Sequence, residues 1–212
     1  MVLKASEGRA IADALIHTIQ TNKDYLSEID GKIGDGDHGI NMNKGFTLCE
    51  ERLAGKNPSV SEALLTISQT LMEDIGGSMG PLYGMLFDGM GAACEGKDEI
   101  DAATFENMLE EAAAGVQDIG SAKRGDKTLL DTLLPAQDAF SAALAGGKDF
   151  AQALDAMKAA AEEGWRATEG MVAKVGRASR LGERSRGVLD AGATSCCLLL
   201  TALADSIKAN LS

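Results

Sequence analysis

Histidine, proline and aromatic residues are scarce in this 212-residue chain, which has two His, three Pro and 4% Phe, Trp and Tyr together. Few prolines and few aromatics beside much Ala and Leu indicate a helical protein. The four cysteines, at positions 49, 94, 196 and 197, form no C-x-x-C pair, and with only two histidines a structural zinc site lacks ligands. Cys196 and Cys197 run into Leu198-Leu199-Leu200 and read as small core residues, which fits a reducing, cytoplasmic setting. No run approaches the ~18 apolar residues that a membrane span requires. The N-terminal MVLKASEGRA has no apolar core of a signal peptide. Positive charge is also in deficit: 20 Lys and Arg against 32 Asp and Glu leave a formal net charge of −12. That balance argues against nucleic acid and against an anionic membrane surface as partners.

What is abundant is glycine, 25 of 212 residues or about 12%, against a usual ~7%. In a helical chain this excess is expected largely in turns and functional loops. The length suits one domain, residues 1–212. Ile11, Leu15 and Ile19 mark a first helix over residues 5–20, and Met42, Phe46, Cys49 and Leu53 mark another. Asn57-Pro58 ends that stretch, and Ser59 with Glu62 forms a capping box ahead of Leu64, Leu65, Leu71, Met72 and Ile75. Phe105, Met108, Leu109, Ala112, Val116 and Ile119 line one helix face. Leu129, Leu133, Phe140 and Leu144 line another, with Pro135 inside it. Residues 150–175 form the longest periodic stretch, and a last helix covers about 193–209. The pattern predicts an all-α antiparallel bundle of about eight helices.

Four loops interrupt the helices. The first, Asp30 to Gly39, holds four glycines in ten residues and the carboxylates Asp30, Asp35 and Asp37. Three close carboxylates repel one another unless a cation neutralises them, and hard oxygen donors suit Mg²⁺ or Ca²⁺. An EF-hand counted from Asp35 would need Glu where Phe46 stands, so that reading fails. A helix begins just after the loop, where free N–H groups favour an anion. Taken by itself the segment fits a metal–phosphate site or a polar Asp-Gly turn. The second loop, Gly76 to Pro81, also opens a helix. The third, Gly120 to Thr128, is no Walker A sequence, and Asp126 is a candidate cap for the next helix. The fourth, Gly176 to Gly192, carries Arg177, Arg180, Arg184 and Arg186, either a phosphate-binding patch or a solvated loop.

Together the motifs Gly-Asp-Gly-Asp-His-Gly-x-Asn-Met, Gly-Gly-Ser-x-Gly-Pro-Leu-x-Gly, Gly-Asp-Lys-Thr, Gly-Arg-Ala-Ser-x-Leu-Gly-Glu-Arg-Ser and Asp-x-Gly-Ala-Thr-Ser resemble the L-subunit family of dihydroxyacetone kinases. The resemblance spans residues 25–204. It implies a barrel of eight antiparallel helices with ADP or ATP and two Mg²⁺ ions at one end. It implies Asp30, Asp35 and Asp37 as metal ligands and His38, Gly39, Ile40 and Asn41 along the phosphates. Ser78 and Met79 match further phosphate and nucleotide contacts, Gly120 and Leu129 match the adenine pocket, and Arg177, Asp190, Ala191 and Gly192 match additional nucleotide contacts. Met79 stands where a small hydroxyl residue is common in the family, and Ala191 where Pro is frequent.

The implied activity is phosphoryl transfer to dihydroxyacetone held covalently on a separate K subunit, with a phosphotransferase-system phosphocarrier as the second partner. An ATP-dependent kinase subunit for another short ketose, such as a tetrose, is the alternative within the family. A non-catalytic ADP-sensing module is the alternative outside enzymology, because it would need the same site. No residue of the chain reads as a nucleophile that anchors the substrate. His17 reads as structural.

Overall fold

Nine α-helices carry the fold in the computed structural model, which describes residues 1–212. They are α1 (Gly8–Thr21), α2 (Lys23–Ile33), α3 (His38–Leu53), α4 (Val60–Asp74), α5 (Met79–Ala93), α6 (Ala102–Ile119), α7 (Leu130–Ala145), α8 (Phe150–Ala167) and α9 (Ala191–Asn210). The sequence count of about eight is one short because α2 continues through Asp30 to Ile33, where the sequence shows only a glycine-rich loop. The periodic stretch from 150 is shorter than expected. Its helix stops at Ala167 and a 3₁₀ turn, Thr168–Gly170, follows, so Met171, Val172 and Val175 lie outside α8. Strands β1 (Leu3–Lys4) and β2 (Glu99–Ile100) pair antiparallel and are too short to leave an alternating pattern.

From α3 to α9 each helix packs on the next, and α1 and α2 both bridge α3 and α9, closing a ring. Its interior is one continuous apolar core running from Leu3 to Ile207. Phe105, Phe140 and Phe150 tie α6, α7 and α8 together, with ring centroids 5.1, 5.6 and 6.0 Å apart. Such edge and tilted pairs add about 0.5–1.5 kcal/mol each beyond area burial. Met72 and Ile119, expected on buried faces, are exposed. His17 faces solvent, next to the Thr21 hydroxyl. The Ser59–Glu62 capping box forms as the sequence indicates.

The glycine excess has a second use that composition did not show. Several glycines sit inside helices where another backbone passes too close for a side chain. A Cβ on Gly39 of α3 would lie 2.0 Å from the Lys23 carbonyl oxygen, and one on Gly164 of α8 would lie 2.2 Å from the Asp131 carbonyl oxygen. The second contact involves Pro135, which removes the N–H that would otherwise bond the Asp131 carbonyl. No helix of the structure is long and apolar enough to cross a membrane.

All four cysteines are free and buried. Burial pushes the thiols of Cys94 and Cys197 up to about 11 and that of Cys49 to about 12, and raises that of Cys196 as well. An aromatic disulfide reagent at pH 8 should therefore titrate essentially no thiol in native protein and all four after denaturation. Rapid modification of a native thiol would contradict this packing.

Candidate functional site

Short antiparallel connections place alternate loops at the same end of the bundle. The α2–α3, α4–α5, α6–α7 and α8–α9 loops share one end and surround a cavity of about 640 Å³. In consequence α3, α5, α7 and α9 all begin there, and residues from the first turn of each line the cavity. Helix N-termini carry unpaired N–H groups and partial positive charge, so four of them converging make a strong anion site.

The opposite charge is brought to the same place. Asp30 comes from the last turn of α2, Asp35 from the following loop and Asp37 from the position before α3. One carboxylate oxygen from each lies within 4.8 Å of the others. The glycines between them make the approach possible: Gly36 has φ +77, and a Cβ on Gly34 would lie 2.3 Å from Asp30 Oδ1. The backbone N–H of His38 donates to Asp30 Oδ2 at 3.3 Å. The only cation on this trio is Arg177, whose guanidinium is paired with Asp35. A group of hard oxygen donors with one exposed partner fits a divalent cation.

Behind the carboxylates lies a buried polar relay. The His38 ring turns inward, 9% exposed, and its Nε2 is hydrogen-bonded to Ser195 Oγ at 2.8 Å. Burial lowers its pKa to about 4, so the imidazole is neutral. Tyr83 of α5 donates its hydroxyl to the Gly192 carbonyl at 2.9 Å and lies 2.5 Å from Ser195 Oγ. The relay locks the starts of α3 and α9 to α5. Asp190 caps α9 by accepting from Ala193 N–H at 2.7 Å. Burial raises the Asp190 pKa to about 6, against the pull of that amide and of Lys127.

A family model, the DAK2 domain, matches residues 32–205. The chain belongs to the DAK2 domain family. It is 36% identical over 196 residues to the ADP-binding subunit of PEP-dependent dihydroxyacetone kinase 2 from Listeria innocua, covering 90% of this chain and 89% of the relative. It is 35% identical over 189 residues to the ADP-binding subunit of the PEP-dependent dihydroxyacetone kinase of Escherichia coli, covering 89% and 90%. Among solved structures, the dihydroxyacetone kinase of C. freundii in complex with AMP-PNP and Mg²⁺ superimposes with a TM-score of 0.67 at 25% identity. That match covers 92% of this chain and 33% of the larger one.

Within this DAK2 domain, most of the residues singled out by sequence come together. Asp30, Asp35, Asp37, His38, Asn41, Ser78, Met79, Gly120, Leu129, Arg177, Asp190, Ala191 and Gly192 all line the cavity. Gly39 and Ile40 do not. Gly39 is pressed against α2, and Ile40 points to solvent, 55% exposed. Asp126 does not cap α7; it accepts from Lys123 N–H, 2.9 Å, within its own turn. The carboxylate that organises that turn is Asp131, which accepts from Gly125 N–H at 2.5 Å and Thr128 N–H at 2.9 Å. Asp131, Tyr83 and Ser195 were not singled out for any polar role in the sequence. Each sits inside a helical apolar pattern; the partners of Tyr83 and Ser195 are distant in the chain, and those of Asp131 are backbone N–H groups of the preceding turn, which residue type does not mark.

The relay supports one test of the site's frame. Tyr83→Phe strips the Gly192 carbonyl of its phenolic donor and leaves the ring in place. Urea unfolding should show a loss of about 1–2 kcal/mol, the cost of a buried polar group losing its partner. An unchanged midpoint would mean that the relay does not hold α9.

Proposed function

We propose that this chain is the nucleotide-binding, phosphoryl-transferring subunit of a dihydroxyacetone kinase. The observation that carries the reading is the meeting of three carboxylates with four helix N-termini in one cavity. One element of the pair suits a cation and the other suits phosphate, and a magnesium–nucleotide supplies both. The whole chain, 1–212, acts as one domain in this reading, in a reducing cytoplasm that agrees with four unpaired thiols.

Asp30, Asp35 and Asp37 would hold Mg²⁺, two ions in the family pattern, as ligands. When bound, magnesium neutralises phosphate oxygens and so lowers the barrier to transfer. The protein's own groups do the positioning. Backbone N–H groups opening α3, α5 and α9 line the cavity and would hold phosphate oxygens. Ser78 and Met79, at the start of α5, would contribute to the same site. Arg177 sits at the rim, free to trade Asp35 for a phosphate oxygen. Leu82, Val116, Gly120 and Leu129 form an apolar wall suited to the base of ADP or ATP. Neutral His38, bonded to Ser195, fixes the start of α3 without adding charge.

In this reading the acceptor comes from outside the chain, held on another subunit. The reading assigns that role to a K subunit carrying dihydroxyacetone. It assigns the phosphoryl supply to a phosphotransferase-system phosphocarrier, with ADP as a resident coenzyme. The PEP-dependent relatives, of nearly the same length as this chain, support that choice over an ATP-exchanging kinase.

Two measurements test this. Purified protein is denatured and the released small molecules are identified by mass spectrometry. Near-stoichiometric ADP is expected; an empty protein that binds ATP reversibly with Mg²⁺ would replace the resident-ADP reading with an ATP-dependent one. Neither nucleotide binding at all would overturn the assignment. Separately, Asp30→Ala, Asp35→Ala and Asp37→Ala should each lower transfer to dihydroxyacetone by about a hundredfold or more, with helical circular dichroism retained. Near-wild-type transfer in all three would remove the metal assignment.

A further inference from the structure

Lys127 is the one lysine or arginine that the fold buries, and the proposed reaction does not use it. It is 2% exposed, and it is the only non-glycine residue with a positive φ, +64. A lysine in the left-handed region persists only where its surroundings hold it there. Its ammonium has three protons and no acceptor capacity, and the structure offers three carbonyls. Nζ donates to Met171 O at 3.2 Å, Ser185 O at 2.7 Å and Val188 O at 2.5 Å.

Those three carbonyls bracket the segment that carries Arg177. Met171 precedes Gly176, φ +70, and Ser185 and Val188 lie on either side of Gly187, φ +84. Between them Gly182, φ +54, has open space around it. Main-chain bonds support the same attachment: Lys174 N–H donates to Asp126 O at 3.1 Å, and Ala173 N–H donates to Ser185 Oγ at 2.9 Å. The turn that presents Lys127 is itself pinned by Asp131 of α7 through Gly125 and Thr128. A rigid path therefore runs from α7 through Lys127 to the loop, and ends at Arg177 on one side and at the Asp190 cap of α9 on the other.

We propose that Lys127 is the positioning residue that holds the Arg177 loop over the nucleotide site, by clasping the carbonyls of Met171, Ser185 and Val188 from the α6–α7 turn. The proposal rests on the function assigned above. Lys127 touches neither phosphate nor metal in this role. It acts through the loop, and a compact ammonium meets three converging carbonyls better than a planar guanidinium would.

The test uses nucleotide-free full-length protein titrated with magnesium and ADP by calorimetry, with hydrogen exchange read over residues 171–188. Lys127→Met keeps the stem and removes the donors. It should weaken binding about tenfold and speed exchange in that segment, with α1–α9 unchanged. Arg177→Met should weaken binding in the wild-type background and add little in the Lys127→Met background, because the arginine is already displaced; a purely structural lysine would give additive losses. Lys127→Gln, which keeps two N–H donors and loses the charge, serves in the same cycle if the Met variant does not fold. Wild-type binding by Lys127→Met, faster loop exchange with unchanged affinity, or full additivity with Arg177→Met would each overturn the clasp. Wild-type protein that binds no magnesium–ADP would overturn the nucleotide reading instead, a result distinct from a clasp that fails while the wild type binds.

Discussion

Four helix N-termini facing one cavity are the constraint around which this molecule is arranged. Partial positive charges of like sign are brought together at the starts of α3, α5, α7 and α9, and each start leaves N–H groups without an intrahelical acceptor. The protein answers part of that demand itself: Asp190 takes an amide of α9, Asp30 takes the first amide of α3, and Asp131 takes two amides of the turn before α7. What remains facing the cavity suits an anion. The three carboxylates at its edge suit a cation, so a magnesium–phosphate complex, on the reading proposed above, would answer both kinds of charge in one place.

Precision at that end depends on close backbone approaches and on buried polar contacts. Gly39 and Gly164 let backbones approach to distances no side chain permits, and so set how far α3 stands from α2 and α8 from α7. The Tyr83–Ser195–His38 relay and the Lys127 clasp are both buried polar devices with defined partners. Apolar packing is dense but does not depend on which atoms meet, whereas a hydrogen bond needs a particular donor and acceptor within about 2.7–3.2 Å. The bundle uses apolar packing for its bulk stability and these few polar contacts for the registration of its functional end.

Much of the site was legible in the chain. The Asp30–Asp37 segment pointed to a metal–phosphate site or a polar turn, the family resemblance chose between them and supplied the Gly76–Pro81 and Asp190–Gly192 contacts, and thirteen of the fifteen residues so named line the cavity. Gly39 and Ile40 were placed along the phosphates by the family resemblance. In the structure the first turn of α3 sends one toward α2 and the other into solvent. Asp126 and Asp131 are five residues apart in the same stretch, and only the path of the turn decides which of them organises it.

The sequence by itself determined the helical class, eight of the nine helices, the Ser59 cap and the set of loops carrying carboxylate, glycine and arginine, because each follows from interactions within a few residues of the chain. Tertiary structure alone decided that those loops meet at one end, that Arg177 rests on Asp35, that Tyr83 reaches Gly192 and that Lys127 reaches across the cleft between two loops. These contacts join residues 44 to 142 positions apart. Residues so far apart have no local pattern to reveal them, and they meet only when the ring of helices closes on its apolar core.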